Sequence, residues 1–296
     1  MRNWVAALFI CLLIGGWLWG HQKQDVKLEL TDKGGNESAE HQAQAQEQEQ
    51  EQARTTTIKV SQNQIYRGNL VLINKEYGIH PEGVEADVIQ LAGHQELLDG
   101  FGLLDRSIRL PQTLLQRFTD MVAAADKDGV NHFLISSGYR DQAEQEQLYA
   151  DMGADYALPA GHSEHNLGLS LDIGSSLKAM NDAPEGEWLT RNADRYGFIL
   201  RYPKDKTDIT GIQYEPWHFR YVGLPHSRIM KENGFTLEEY LDFLKEKKSF
   251  AATVDGKRYE ISYYPMAEGL EISVPSNQLY ELSGNNSDGI IMTAWL

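Results

Sequence analysis

The sequence has a single cysteine and too few basic residues to balance its acidic ones. The cysteine, Cys11, lies in an apolar N-terminal run, so no intramolecular disulfide can form and cysteine usage does not identify the compartment. The chain has 27 lysines and arginines against 43 aspartates and glutamates, which gives a formal net charge of −16. This charge argues against nucleic acid as a partner.

Two signatures of serine enzymes are also missing. The sequence contains no G-x-S-x-G nucleophile elbow, and its S-x-x-K pattern has no credible partner motifs. The sequence therefore gives no sign of a serine nucleophile.

The longest uncharged apolar run is Trp4–Gly20, close to the lower limit of about 17 residues for a membrane-spanning helix. It is either an uncleaved signal anchor or a cleaved signal peptide. Gly15 and Gly16 are followed by Trp17-Leu18-Trp19, which is typical of an interfacial belt rather than of a cleavage site. We therefore favour a single-pass anchor at residues 1–20, with the rest of the chain outside the cytoplasm.

Residues 21–57 are of low complexity, with the Gln- and Glu-rich stretch Gln42–Ala53 at their centre. This stretch has no apolar face to bury and predicts a tether. We assign residues 58–248 to the main folded domain. Residues 249–296 alternate with period two around a turn at Asp255-Gly256, and they predict a small β-rich C-terminal appendage.

Several elements of the main folded domain can be predicted. Apolar residues recur at helical spacing over Pro111–Asp128, and Asp141 is placed to start a second helix. Short strands are expected at Phe133–Ser136, at Leu169–Ile173, with Asp172 at its end, and at His218–Val222.

Two separate segments carry a possible metal site. Gly161–Asp172 reads G-H-S-E-H-N-L-G-L-S-L-D, and Glu215–His218 reads E-P-W-H. They supply two imidazoles, one carboxylate that can bind a metal and one that can stay free, which is the set that a catalytic zinc site needs. Taken singly, His165 could be a core histidine, Asp172 a cap and His218 a strand residue.

The motifs S-x-H-x-x-G-x-x-x-D at Ser163–Asp172, S-G-Y-R at Ser137–Arg140 and E-P-W-H resemble the bacterial zinc D-Ala-D-Ala carboxypeptidases of the VanY type. The similarity extends over roughly residues 130–247. Ser170 departs from the small apolar residue that the family usually has two positions before the aspartate, and we interpret that position as structural.

The resemblance implies an α+β fold of the zinc D,D-peptidase (hedgehog-like) class, with an antiparallel sheet flanked by helices. It also implies that zinc is the cofactor. The implied ligands are His165, Asp172 and His218. Glu215 would be the general base, and Arg140 would stabilise the oxyanion or orient the substrate.

Four further residues are candidates for substrate binding. Ser163, Ser137 and Gln147 could hold a terminal carboxylate. Trp217 could line the pocket of the leaving residue or be a core aromatic.

By resemblance, the substrate is a peptidoglycan pentapeptide stem, or its lipid-linked precursor, that ends in D-Ala-D-Ala. Removing the last residue would contribute to glycopeptide (vancomycin) resistance. Alternatives are an L,D-carboxypeptidase acting on tetrapeptide stems, a dipeptidase, which the anchor does not favour, and a catalytically silent cell-wall binding protein.

Overall fold

The computed structural model describes residues 26–30, 55–153 and 157–296 of the chain. The strands, numbered in chain order, are β1 Val26–Leu30, β2 Thr55–Lys59, β3 Val88–Gln90, β4 Phe101–Leu103, β5 Arg109–Pro111, β6 Phe133–Ser137, β7 Ser170–Ser175, β8 Phe198–Leu200, β9 His218–Tyr221, β10 Ser249–Val254, β11 Lys257–Pro265, β12 Glu271–Pro275, β13 Tyr280–Gly284 and β14 Gly289–Trp295. The α-helices are α1 Gln112–Lys127, α2 Gln142–Met152, α3 Glu164–Leu167, α4 Pro184–Asn192, α5 Thr207–Thr210, α6 His226–Asn233 and α7 Leu237–Lys247. Short 3-10 helices occupy Gln62–Tyr66, Pro81–Gly83, Leu91–Gly93, Gln95–Leu97 and Ala193–Tyr196.

A five-stranded sheet with the order β4-β6-β7-β9-β8 carries much of the predicted site, and we call it the catalytic sheet. Only its β4–β6 pair is parallel. The apolar face of α1 packs into the same core and consists of Leu114, Leu115, Phe118, Met121, Val122 and Ala125. Helices and largely antiparallel sheets thus combine in one fold, which confirms the α+β class.

β7 is longer than the sequence indicates. It was expected to end at Asp172, but it continues to Ser175 because Ile173 pairs with Ile135 of β6 and is fully buried. Asp172 therefore lies inside the strand, where both neighbouring strands fix its position.

A second five-stranded sheet, which we call the C-terminal sheet, has the order β1-β10-β11-β14-β13 and is antiparallel throughout. The predicted turn at Asp255-Gly256 joins β10 to β11, and both residues have the positive φ of a type I′ turn (49° and 77°). The sheet shares one core with α6 and α7, through side chains such as Met230, Leu241 and Phe250. It is therefore packed on the catalytic body, and the domain boundary at residue 248 stays a prediction.

The tether interpretation does not hold for two short segments. β1 pairs with β10 along its whole length, from Val26 opposite Val254 to Leu30 opposite Phe250. β2 begins at Thr55, ahead of the predicted domain start, and pairs with β12. Both strands pair with residues more than 200 positions away, so local composition gave little sign of them.

The remainder of the predicted tether and the predicted anchor Trp4–Gly20 lie outside the described residues. Within those residues, no helix combines the length and the hydropathy that crossing a membrane requires.

Candidate active site

The register of the catalytic sheet places two of the predicted metal ligands side by side. Asp172 of β7 is directly opposite His218 of β9, so both side chains leave the same face of the sheet. Their nearest atoms, Asp172 Oδ1 and His218 Nδ1, are 3.0 Å apart.

The third predicted ligand, His165, lies in the single turn of α3. The Ser163 hydroxyl caps this turn by accepting a hydrogen bond from the His165 amide at 3.4 Å. The turn ends at Gly168, whose φ of +87° and whose close approach to Pro111 exclude a β-carbon. This tight geometry aims the His165 ring at the sheet.

The three side chains form a compact triangle. His165 Nε2 is 3.3 Å from His218 Nδ1 and 3.4 Å from Asp172 Oδ1, and the third side is the 3.0 Å contact. A tetrahedral zinc ion with bonds of about 2.0–2.2 Å to nitrogen and oxygen has ligand–ligand edges of about 3.3 Å. Both the donor set and the spacing fit zinc.

The outer nitrogen of each histidine also has an acceptor. His165 Nδ1 is 2.7 Å from the Gly138 carbonyl, and His218 Nε2 is 3.3 Å from Glu164 Oε2. Each outer nitrogen therefore has an oxygen atom within reach that can accept its proton, and the inner nitrogens face one another.

The charges around the triangle favour a cation. Burial lowers the pKa of His165 to about 4, with Arg140 adding to this effect. Burial alone would lower the pKa of His218 as well, but hydrogen bonds to Asp172 and Glu164 raise it to about 9. Without a metal, the positive charge of His218 balances the negative charge of Asp172, and a metal ion that binds must displace the His218 proton.

Glu215 lies beside the triangle and outside it. Its Oε2 is 3.7 Å from His218 Nδ1, and its own backbone is tied to Tyr202 by a hydrogen bond of 3.2 Å. Burial raises the pKa of Glu215 to about 7, and the positive charge of His218 opposes that rise. A carboxyl group in this setting can exchange a proton near neutral pH.

Arg140 enters the site from the connection between β6 and α2. As predicted, Asp141 starts α2, through a capping box with Glu144. The Arg140 guanidinium donates to Ser137 Oγ at 2.6 Å and to Gln145 Oε1 at 2.9 Å, and it lies 3.9 Å from Asp172 Oδ2. Its position is therefore fixed before any substrate arrives.

Gln145 is a further residue of the site that was not predicted from the sequence. It is the only buried residue of α2, and its amide also donates to the Leu158 carbonyl at 2.6 Å, which ties the wall of the site to the helix. The predicted residue Gln147 also lines the cavity, but its amide donates to Asp151 Oδ1 at 3.0 Å. α2 contains Gln142, Gln145 and Gln147, and no feature of the sequence distinguishes Gln145 from the other two.

These groups open into one cavity of about 870 Å³. All nine predicted site residues line it: Ser137, Arg140, Gln147, Ser163, His165, Asp172, Glu215, Trp217 and His218. Trp217 also packs against the main hydrophobic core, so both of its predicted roles are compatible with its position. Leu148, Leu158 and Ile212 add apolar wall.

Comparison with known proteins agrees with this geometry. The family model of VanY D-alanyl-D-alanine carboxypeptidases matches residues 107–224, a segment that contains every predicted site residue. A D-alanyl-D-alanine carboxypeptidase of Enterococcus faecium is 58% identical over 236 residues, covering 80% of this chain and 78% of the relative.

Two solved structures have similar folds. The vancomycin resistance D,D-dipeptidase VanXYg, in complex with a D-Ala-D-Ala phosphinate analogue, has a TM-score of 0.71 at 34% identity, covering 82% of this chain and 99% of that one. The LD-carboxypeptidase LdcB has a TM-score of 0.52 at 30% identity, covering 64% and 94%. Because the Enterococcus faecium relative aligns over most of both chains, this protein belongs to the VanY family of D-alanyl-D-alanine carboxypeptidases.

Proposed function

We propose that this protein is a zinc D,D-carboxypeptidase that hydrolyses the C-terminal D-Ala of peptidoglycan pentapeptide stems. The observation that carries the proposal is the triangle of His165, Asp172 and His218, with Glu215 and Arg140 in the same cavity. The 58% identity to a D-alanyl-D-alanine carboxypeptidase supports the choice of substrate.

Glu215 and Arg140, which flank the triangle, perform the chemistry that a bound zinc ion does not supply. A zinc ion held by His165, Asp172 and His218 supplies a Lewis acid that polarises the scissile carbonyl and makes water more acidic. Glu215, whose carboxylate lies beside the triangle, takes a proton from the attacking water and passes it to the leaving amine of D-Ala.

Arg140 gives the site its exopeptidase character. Apart from the histidines, it is the only cationic side chain among the described residues that line the cavity. Its planar fork suits either the terminal carboxylate of the substrate or the developing oxyanion. Ser137, which already accepts a hydrogen bond from Arg140, and Ser163 are placed to assist in carboxylate binding.

The protein acts at the outer face of the cell membrane, held there by the N-terminal segment. The support is the uncharged apolar run Trp4–Gly20 and its tryptophans. Lipid-linked pentapeptide precursors reach this face, and trimming them removes the terminus that glycopeptide antibiotics recognise, so we assign a role in vancomycin resistance. A mature N-terminus beyond Gly20 would replace the anchor by a cleaved signal peptide.

Three alternatives remain as outcomes of the test: an L,D-carboxypeptidase, a dipeptidase acting on free D-Ala-D-Ala and a silent binding protein. LdcB represents the L,D-carboxypeptidases, but its 30% identity is well below the 58% of the D-alanyl-D-alanine carboxypeptidase. A silent binding protein would not need the complete set of three ligands with Glu215 beside them.

The test is mass analysis of products from the full chain, loaded with zinc, on matched pentapeptide and tetrapeptide stems and on free D-Ala-D-Ala. A penicillin is present to suppress serine enzymes. We expect release of a single D-Ala from the pentapeptide in preference to the other substrates. Preferential cleavage of the tetrapeptide or of the free dipeptide would reject the D,D-carboxypeptidase assignment, and turnover of none would leave only binding.

A further inference from the structure

Behind His218 lies a group of four charged side chains that the proposed reaction does not use. They are Glu164, Arg201, Arg220 and Glu238. Glu164, Arg201 and Arg220 are at most 1% exposed, and the side chain of Glu238 is 15% exposed. Charges this deeply buried cost several kcal/mol each unless they are fully paired, so their arrangement needs a physical reason.

The two oxygens of Glu164 have different partners. Oε1 accepts from Arg201 Nε at 2.7 Å and from Arg220 Nη1 at 2.8 Å. Oε2 turns the other way and is 3.3 Å from His218 Nε2. One carboxylate thus joins a metal-ligand histidine to two buried arginines.

Both arginines are fixed by further contacts. Arg201 forms a two-pronged ion pair with Glu238 of α7, at 3.0 and 2.7 Å. Arg220 also donates to the carbonyls of Asn69, Val71 and Tyr221. Two acids and two arginines leave the group with no net charge. Both arginines donate to Oε1 of Glu164, and these charge-assisted hydrogen bonds stabilise its ionised form.

We propose that Glu164 is a positioning residue that keeps the proton of His218 on Nε2 and thereby presents Nδ1 to the metal. An ionised carboxylate can only accept hydrogen bonds, so it admits a single orientation of the histidine proton. It also makes the imidazole a stronger ligand. The backbone carbonyl of Gly138 has the same task at His165, where no side chain is needed.

The geometry explains why glutamine cannot replace this residue. A glutamine that turns its oxygen to His218 points its NH2 group at Arg201 and Arg220. One that turns its NH2 group to His218 brings two donors together. Either orientation breaks one side of the contact. This inference rests on the proposed zinc-dependent function.

The experiment measures the zinc affinity of the full chain by competition with a chromogenic chelator. Glu164→Gln is compared with Glu238→Gln, a matched control that removes the same charge from the same arginine without touching His218. We expect Glu164→Gln to bind zinc about 10–100-fold more weakly. Glu238→Gln should lose thermal stability but keep its zinc affinity.

A third variant covers the case in which Glu164→Gln fails to fold. Glu164→Asp retains the negative charge between the two arginines but withdraws the carboxylate from His218 by one methylene. It should stay folded and still bind zinc more weakly than the wild type.

A proton spectrum of the zinc-loaded protein provides a second readout, which a purely structural role would not move. The Nε2 proton of His218 should give a low-field, slowly exchanging signal in the wild type and in Glu238→Gln that is lost or shifted in both Glu164 variants. Equal zinc affinity in wild type and Glu164 variants would overturn the inference alone, as would equal losses in Glu164→Gln and Glu238→Gln. A wild type that binds no zinc would overturn the proposed function together with it.

Discussion

The two five-stranded sheets described above differ in the side chains at their centres. At the middle of the catalytic sheet, the paired residues Asp172 and His218 are polar, and charged groups lie on both sides of them. The centre of the C-terminal sheet is apolar, with Phe250, Ile261 and Ile291 at most 1% exposed.

This difference indicates that the catalytic sheet mainly serves the proposed reaction and that the C-terminal sheet mainly stabilises the fold. A sheet that buries polar groups must satisfy each of them, and here the partners come from α3, the loop after β6 and the buried arginines. The C-terminal sheet is stabilised by apolar burial against α6 and α7. Mutations in the two regions should therefore affect different measurements.

The largest effect should come from Glu215→Gln, which should reduce activity without changing the stability of either sheet. The amide cannot accept the proton of the attacking water, so kcat should fall roughly 10²–10⁴-fold. Zinc content and thermal stability should match those of the wild type. An unchanged kcat would exclude Glu215 as the base.

Phe250→Ala should instead reduce stability without changing activity. Phe250 is 1% exposed between α7 and the C-terminal sheet, and truncating a buried phenylalanine costs about 3–5 kcal/mol of unfolding free energy. We expect a lower midpoint in denaturant and an unchanged kcat at temperatures where the variant is folded. A large loss of kcat without a loss of stability would show that the two regions are not separable in this way.

The pH dependence of stability sharpens the comparison, because one buried histidine joins α6 to the C-terminal sheet. His226 Nδ1 is 2.8 Å from the Tyr240 hydroxyl and Nε2 is 3.0 Å from Thr293 Oγ1. Burial lowers the pKa of His226 from 6.5 to about 3. The unfolded chain therefore binds the extra proton between these values, so stability is fully present above pH 6.5 and falls as the pH drops towards 3.

The contribution of His226 is at most about 1.4 kcal/mol per pH unit. Chemical unfolding between pH 7 and pH 4 should show a steeper loss in the wild type than in His226→Gln, whose side chain does not titrate. Equal slopes would mean that His226 is not the group responsible.

Ser170→Ala should have the smallest effect. Ser170 is fully buried in β7, and its hydroxyl has no hydrogen-bond partner among the described residues. Removing an unpaired buried hydroxyl should leave stability unchanged or raise it by up to about 1–2 kcal/mol, with no change in kcat. A clear loss of stability would show that the hydroxyl has a partner, such as an ordered water.

Much of the site could be predicted from sequence because its residues lie in short motifs. His165 and Asp172 share one motif, Glu215 and His218 another, and the cavity brings both motifs together. The residues that contact the predicted metal ligands were harder to predict. Glu164 looks like an ordinary acid in the first turn of a helix, and only the fold shows that it meets His218 and two arginines.

The fold, like the site, could be predicted from the sequence only where the relevant residues are close together in the chain. α1 was predictable because the spacing of its apolar residues is a local feature of the sequence. The Asp255-Gly256 turn was predictable because these two residue types favour such a turn. The strand Val26–Leu30 was not, since its hydrogen bonds go to β10, far along the chain. Its alternating valine and leucines were a weak signal inside a polar region.

Zinc titration of the metal-free full chain tests the central claim most directly, with D-Ala release from a pentapeptide stem as the readout. In the wild type, the rate should rise in proportion to added zinc and level off at about one ion per chain, as expected for a single three-ligand site. His165→Ala should show no such rise at the same zinc concentrations. Full activity before zinc is added, or a titration by His165→Ala that matches the wild type, would contradict the account.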